Sequence, residues 1–193
     1  MLRISFFVKP ILKILMYGNK YTDPIDGKNF RAFLPYGYNK IRNNVLSPST
    51  YSLERHRLLW LYLKNETSFF KAKLKVLHFA PESALMNQFK KLKNLSYETV
   101  DLNSPIADIK ADICDLPFLD NSYDFILCNH VLEHIIDDDK AMRELYRVLK
   151  KNGVGIFQVP IDYNRDTTFE DFSVINKKER KKLFGQYDHV RIY

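Results

Sequence analysis

Cysteine is nearly absent. The chain has two, Cys114 and Cys128, which is too few for a disulfide framework and makes a reducing cytosol the expected compartment. Long apolar runs are missing too. The most apolar stretch, Met1 to Tyr17, is interrupted by Arg3, Lys9 and Lys13, so it falls short of the ~18 uncharged residues that a membrane span needs. Lys9-Pro10 breaks that stretch and no small-residue cleavage site follows it, which makes it a poor match to a secretory signal. Internal repeats and low-complexity tracts are also absent. Glycine is scarce, 6 in 193 residues, and none stands in the turn after the apolar segment Lys75–Phe79, where close backbone approach to a ligand would favour it.

What is present suffices for one domain, or for one domain with a small appendage. Apolar residues make up 46% of the chain, enough for a real core. The net charge of +7 is uneven: residues 1–75 carry 14 basic and 4 acidic side chains, the rest 16 and 19. A basic N-terminal segment suits RNA, anionic lipid or an acidic substrate, and charge alone does not choose among them.

The segment from Tyr123 to Pro160 organises the chain. An apolar run, Tyr123–Cys128, ends at Asn129-His130. A helical pattern follows, with Ala141, Leu145, Val148 and Leu149 on one face. Asp137, Asp138 and Asp139 precede it, where acids suit the helix dipole, and Lys150-Lys151-Asn152-Gly153 is expected to close it. A second apolar run, Val154–Val159, comes next. Two apolar runs flanking a helix predict a βαβ unit with parallel strands and an open α/β sheet covered on two faces. Ligands bind such sheets at the carboxyl ends of the strands, which is where Asn129 to His134 stand. Upstream, Lys75–Phe79 and Ser96–Asp101 read as strands joined through a helix from Ser83. A loop after the first strand and an acid after the second is the layout of a nucleoside-binding fold. The expected spatial order is Ser96–Asp101, Lys75–Phe79, Tyr123–Cys128, Val154–Val159. Lys177–Phe184 predicts a helix stopped by Gly185.

Nearer the N-terminus, residues 1–19 read as a basic apolar helix, either docked on the domain or lying on a membrane surface. Asp23-Pro-Ile-Asp-Gly27 and Ser47-Pro-Ser-Thr50 are turns about 20 residues apart, spaced like two zinc knuckles without their cysteines. Asp23, Asp26, Ser47 and Thr50 stand at the ligand positions, and hydroxyls are poor zinc ligands, so no metal is expected there. Ser52 is expected to cap a helix over 53–64, with Arg55, His56 and Arg57 on a solvated or salt-bridged face.

Taken together, Ala111-Asp-Ile-Cys-Asp-Leu-Pro-Phe118, Ser122-Tyr-Asp-Phe125, Val131-Leu-Glu-His-Ile135 and Leu145-x-x-Val-Leu-Lys-x-x-Gly153 resemble a class I S-adenosylmethionine-dependent methyltransferase of the type 11 kind. The resemblance covers residues 75–160, and residues 20–51 resemble a degenerate zinc-ribbon segment of some bacterial members. It implies a Rossmann-like sheet with helices on both faces, over a domain running from 52 to 193. It implies S-adenosyl-L-methionine as cofactor. His78, Phe79, Ala80 and Glu82 match the methionine-binding turn, with Ala80, Glu82 and Ala84 in place of its glycines. Asp101, with Leu102 beside it, matches the acid that binds the ribose hydroxyls, Asp112 and Ile113 the adenine pair, and Asn129 the strand end. His130, Glu133 and His134 are the candidate bases near the transferred methyl.

His130-Val-Leu-Glu-His134 also fits the zinc-peptidase pattern H-x-x-E-H, which requires a helix that puts both imidazoles on one face. A third reading is a module that binds the cofactor without transferring a methyl. The expected acceptor is a small molecule or glycan-type precursor, with RNA as the alternative and peripheral membrane contact through residues 1–17. The resemblance further implies two strands beyond the fifth. Their absence leads to the expectation of a truncated domain whose strand Val154–Val159 lies at the sheet edge, unstable and inactive by itself.

Overall fold

The computed structural model describes residues 8–37 and 40–193. The chain divides into two compact units, Met1–Ala72 with Glu82–Asn94, and Lys73–Pro81 with Leu95–Tyr193.

The first unit contains helix α1 (Val8–Leu15), strands β1 (Tyr17–Thr22), β2 (Asn29–Phe30), β3 (Leu34–Tyr36) and β4 (Arg42–Leu46), and helices α2 (Glu54–Glu66) and α3 (Ser83–Phe89). The helix expected over residues 1–19 lies outside the described residues for its first seven positions. Its described part ends at Leu15, because residues from Tyr17 on pair with β2 instead. β1 and β2 form one antiparallel pair, β3 and β4 another. The unit boundary falls after α2 rather than near residue 52. The reason is aromatic: Trp60 of α2 stacks on Phe89 of α3, and Phe69 and Phe70 pack against the same ring.

The two Pro-containing turns meet through hydrogen bonds. Asp23 is fully buried. Its Oδ2 accepts from the Thr50 hydroxyl at 2.5 Å and the Ser52 hydroxyl at 3.4 Å, and its Oδ1 accepts from the Ile25 N–H. Ser47 Oγ accepts from the Thr50 N–H, and Asp26 accepts from the Lys28 N–H. So three of the four positions spaced like zinc-knuckle ligands, Asp23, Ser47 and Thr50, are tied by a buried carboxylate and hydroxyls, while Asp26 bonds to Lys28 instead. Ser52, drawn into this set, does not cap α2. The N-cap is Leu53, whose N–H donates to His56 Nδ1. Nor is this face of α2 solvated. His56 is buried, and the Arg57 guanidinium donates to the Ser52 and Val45 carbonyls and covers the Phe33 ring.

The second unit is built on a five-stranded sheet: β5 (Leu74–Phe79), β6 (Leu95–Asp101), β7 (Ile109–Lys110), β8 (Tyr123–Asn129) and β9 (Leu149–Gln158). Every pairing is parallel and the order is β7-β6-β5-β8-β9. The four expected strands stand in the expected order, and β7 adds a two-residue edge too short for any periodicity to reveal. Helix α4 (Asp138–Val148) crosses from β8 to β9. Its Ala141, Leu145 and Val148 join Leu77, Phe79, Val100, Ile126 and Cys128 in one buried cluster, where truncating a leucine costs ~2–5 kcal/mol. Asp137 caps α4 by accepting from the Lys140 N–H at 2.9 Å. Gly153 is not a helix stop. α4 ends at Val148 and the next residue already pairs with Tyr123, so residues 150–153 form a bulge in β9, with Asn152 at φ 65°. Lys150 is held there by Asp124, which also accepts from the Lys75 N–H. Strand β10 (Phe169–Glu170), helix α5 (Lys177–Phe184) and strand β11 (Arg191–Ile192) follow, with Gly185 closing α5 in a left-handed conformation and β10 pairing β11.

Two predictions follow from these bonds. Asp23→Ala leaves the Thr50 and Ser52 hydroxyls and the Ile25 N–H without their acceptor, and should lower stability by roughly 2–4 kcal/mol; urea titration should show a lower midpoint with an unchanged slope. On α4, Glu144 accepts from Arg147 Nε and Nη2 and from the Leu116 N–H. The Arg147 bonds, against a smaller opposing effect of burial, hold its carboxyl down to about 2 from an ordinary 4.5. A depressed carboxyl stabilises the fold above its unfolded value and loses that contribution as pH falls. Stability should therefore decline between about pH 4.5 and 2, and Glu144→Gln should flatten that part of a pH-melting profile.

Candidate functional site

The site is set by strand register. Phe79 of β5 pairs with Val100 of β6 and Cys128 of β8, so the three chains leave the sheet at one level, at Ala80, Asp101 and Asn129. Ala80 donates its N–H to the Val100 carbonyl at 2.9 Å and adopts φ 45°. That is left-handed backbone, which costs a side-chain-bearing residue ~1–2 kcal/mol. The turn thus keeps a glycine-type conformation without glycine. Asp101 Oδ1 accepts from the N–H groups of Asn103 and Ser104 at 2.7 and 2.6 Å, which fixes the carboxylate and leaves Oδ2 facing no partner among the described residues. Beyond β7, Asp112 Oδ1 accepts from the Cys114 N–H, and Ile113 is buried beside it. The loop that follows is pinned by Arg147, which donates to the Leu116 and Phe118 carbonyls and to Asp120.

Asn129 is buried, and neither its amide nitrogen nor its carbonyl oxygen has a hydrogen-bond partner. Its neighbour across the ladder is Gln158 of β9, whose Oε1 is likewise buried and unpaired. Buried polar atoms without partners are rare in native proteins and call for an explanation. Together with the fixed Asp101 carboxylate they offer donors and acceptors at the strand ends for a polar ligand, as a nucleoside requires. Gln158 went unrecognised from the sequence. A lone amide in the apolar run Val154–Val159 was the available signal.

Other expected residues stand elsewhere. His78 is not available to a cofactor: it is fully buried and its Nδ1 lies 2.6 Å from the Tyr97 hydroxyl. Alternation along β5 puts it on the sheet face opposite Leu77 and Phe79. Glu82 belongs to the first unit, where it stands just before α3 without a side-chain capping bond and lies 3.7 Å from His56 Nε2. Leu102 is half exposed.

The segment after β8 does not make a peptidase helix. His130 has φ 54°, and Leu132–His134 form a single 3-10 turn. His130 and His134 therefore do not share a helical face. His130 Nδ1 meets Glu133 Oε1 at 3.1 Å, and its side chain is partly exposed. Glu133 is fully buried with Oε2 unpartnered. His134 turns to the C-terminal segment, its Nδ1 3.3 Å from the Asp188 carbonyl and its ring against His189. That segment is strapped onto the loop: Val190 donates to the Glu133 carbonyl, Arg191 to the Ile136 carbonyl and to Asp138, and Tyr193 to Asp138. Burial, then the neighbouring His134, lowers the pKa of His189.

Comparison with known proteins places this geometry. Residues 67–157 match the family model described as "Methyltransferase domain". The chain is 40% identical over 74 residues to an uncharacterized protein of Methanocaldococcus jannaschii, and 39% identical over 64 residues to the ubiquinone/menaquinone biosynthesis C-methyltransferase UbiE of Rickettsia typhi. These alignments cover 36% and 32% of this chain and about a third or less, 31% and 26%, of those proteins. Among solved structures, the YcgJ protein of Bacillus subtilis superposes with TM-score 0.52 at 22% identity, over 71% of this chain and 62% of that one. A putative sarcosine dimethylglycine methyltransferase from Galdieria sulphuraria does so with TM-score 0.52 at 20% identity, over 90% and 63%. At such identities the likeness is one of fold. Residues 67–157, just under half of the chain, are thus similar in sequence to a methyltransferase family and share the fold of class I S-adenosylmethionine-dependent methyltransferases.

Proposed function

We propose that the second unit binds S-adenosylmethionine across the ends of β5, β6 and β8 and transfers its methyl group to a small acceptor. The observation that carries this reading is the buried, unpartnered amide of Asn129, level with the fixed carboxylate of Asp101 and the left-handed turn at Ala80. Asp101 would accept from the ribose hydroxyls, as a carboxylate with one oxygen already fixed is suited to do. Asp112 and Ile113 would hold the adenine, and the Phe79–Ala80 backbone and Asn129 the methionine end. The cofactor supplies an already reactive methyl sulfonium. The protein's own work is to align it with the acceptor and exclude water. His130, hydrogen-bonded to Glu133 and partly exposed, would take a proton from a hydroxyl or amine acceptor.

A membrane-borne acceptor is favoured by a separate observation. Ile11, Ile14 and Leu15 of α1 are exposed beside Lys13, the composition of a helix lying at a lipid surface. No helix among the described residues is long and apolar enough to cross a membrane. The lipid-soluble quinone route named for the UbiE relatives is compatible with an acceptor presented in this way.

Asp101→Ala should weaken S-adenosylmethionine binding by ~1.5–3 kcal/mol, or about 10- to 100-fold in Kd, because hydrogen bonds to a charged group are lost. Calorimetry with the folded full chain checks this, and no binding at millimolar cofactor would sink the reading. Co-sedimentation with vesicles containing phosphatidylglycerol should fall when Ile11 and Ile14 are replaced by serine; equal sedimentation would remove the membrane from the proposal.

A further inference from the structure

We propose that Glu133, His134 and His189 form a binding site for one divalent transition-metal ion of the Zn2+ or Co2+ type. One ligand atom from each residue lies within 4.8 Å of the others. Two imidazoles and a carboxylate are the donor set that such ions take, and three protein ligands leave a fourth position for water or another oxygen.

Three features separate this cluster from a chance meeting of polar side chains. The first is the state of Glu133. It is fully buried, and its Oε2 has no hydrogen-bond partner. A buried carboxylate oxygen without a hydrogen-bond partner, in a cluster with two imidazoles, is costly unless a cation completes it.

The second is the outer ring of hydrogen bonds. His189 Nδ1 lies 3.1 Å from the Phe184 carbonyl, and His134 Nδ1 lies 3.3 Å from the Asp188 carbonyl and 3.7 Å from its carboxylate. A carbonyl can only accept, so each Nδ1 carries the proton and each Nε2 keeps its lone pair for a metal. Glu133 Oε1 is held by His130 Nδ1. Every member of the set is thus oriented through its other polar atom, as metal ligands generally are.

The third is what the site would join. Glu133 and His134 follow β8, whereas His189 comes from the segment before β11, 55 residues beyond His134. The backbone bond from Val190 to the Glu133 carbonyl and the Arg191–Asp138 pair already bring these segments together. A metal ion would close them into a clip. The donors would have to draw together from within 4.8 Å, because two ligands of one tetrahedral ion are about 3.4 Å apart at the usual Zn–N distance.

The test uses the full chain after chelator dialysis, with Co2+ as probe. We expect one equivalent to bind with the visible absorption of a low-coordinate nitrogen–oxygen site, and Zn2+ to displace it. His134→Gln and His189→Gln should each weaken Co2+ binding at least about tenfold, whereas His56→Gln, in the other unit, should leave it unchanged. Circular dichroism verifies that the variants fold. A second measurement needs no variant: Zn2+ should protect His134 and His189 from diethyl pyrocarbonate, read by peptide mass spectrometry, while His56 modification is unaffected. Failure of the wild-type chain to bind Co2+, unchanged affinity in both folded histidine variants, or protection at His56 in place of His134 and His189 would overturn the site. Because none of these readouts involves S-adenosylmethionine, failure here leaves the methyl-transfer reading standing, and failure of cofactor binding leaves the metal site standing.

Discussion

The in-register parallel pairing of β5 between β6 and β8 is the constraint on which the rest of the second unit depends. It brings Ala80, Asp101 and Asn129 out of the sheet at one level. Parallel pairing cannot be made by a hairpin, so each strand must be reached through a crossover, and right-handed crossovers fix the order. The register is held from the opposite end. Asp124 accepts from the Lys75 backbone on β5 and from Lys150 on β9, so one carboxylate ties three adjacent strands. A slip of one residue would turn Leu77 and Phe79 out of the cluster they share with α4. The core therefore enforces the same register that the ligand end needs.

Two places in the chain lack the residue type that their spacing or backbone conformation would favour, and each is held by other means. At Ala80 a left-handed turn survives on alanine because its N–H is fixed by the Val100 carbonyl and Phe79 is locked in the sheet. The local strain is small beside the pairing that imposes it. In the first unit, the turns at 23–28 and 47–52 resemble knuckles around a metal, yet Asp23 with the Thr50 and Ser52 hydroxyls occupies the junction. A buried carboxylate accepting from two hydroxyls and a backbone N–H is satisfied electrostatically without an ion.

The strands and their order were legible in the sequence because buried parallel strands leave continuous apolar runs, and α4 because its apolar spacing is regular and its caps are acidic. The short elements were not. β7, β10 and β11 have two residues each, and nothing periodic can be read from two residues. The misplaced stop at Gly153 has a specific cause. A Lys-Lys-Asn-Gly sequence after a helix reads as a C-cap, but the pairing of Leu149 with Tyr123 starts the strand earlier and displaces the four residues into a bulge. The ligand end was partly legible. Asp101 sits at the end of a strand that the pattern already marked, whereas Asp112 and His78 were assigned by their places in motifs, and the alternation of His78 along β5 turns it to the opposite face, where Tyr97 holds it.

Least legible was the joining of the C-terminal segment to the loop after β8. No sequence spacing links His189 to Glu133, since the contact is long-range and depends on β10, α5 and β11 returning the chain. The consequence is mechanical. Asp138 at the start of α4 binds both Arg191 and Tyr193, and those bonds outweigh the effect of burial to lower its pKa. The loop that presents His130 is thereby bonded to the strap, which is in turn bonded to the start of α4. The side chain beside the proposed acceptor position, the helix that covers the sheet, and the last residues of the chain are coupled through one carboxylate. Restraint of the loop is thus distributed over groups far apart in sequence, while the proposed ligand contacts come from strand ends whose level the sheet alone would fix.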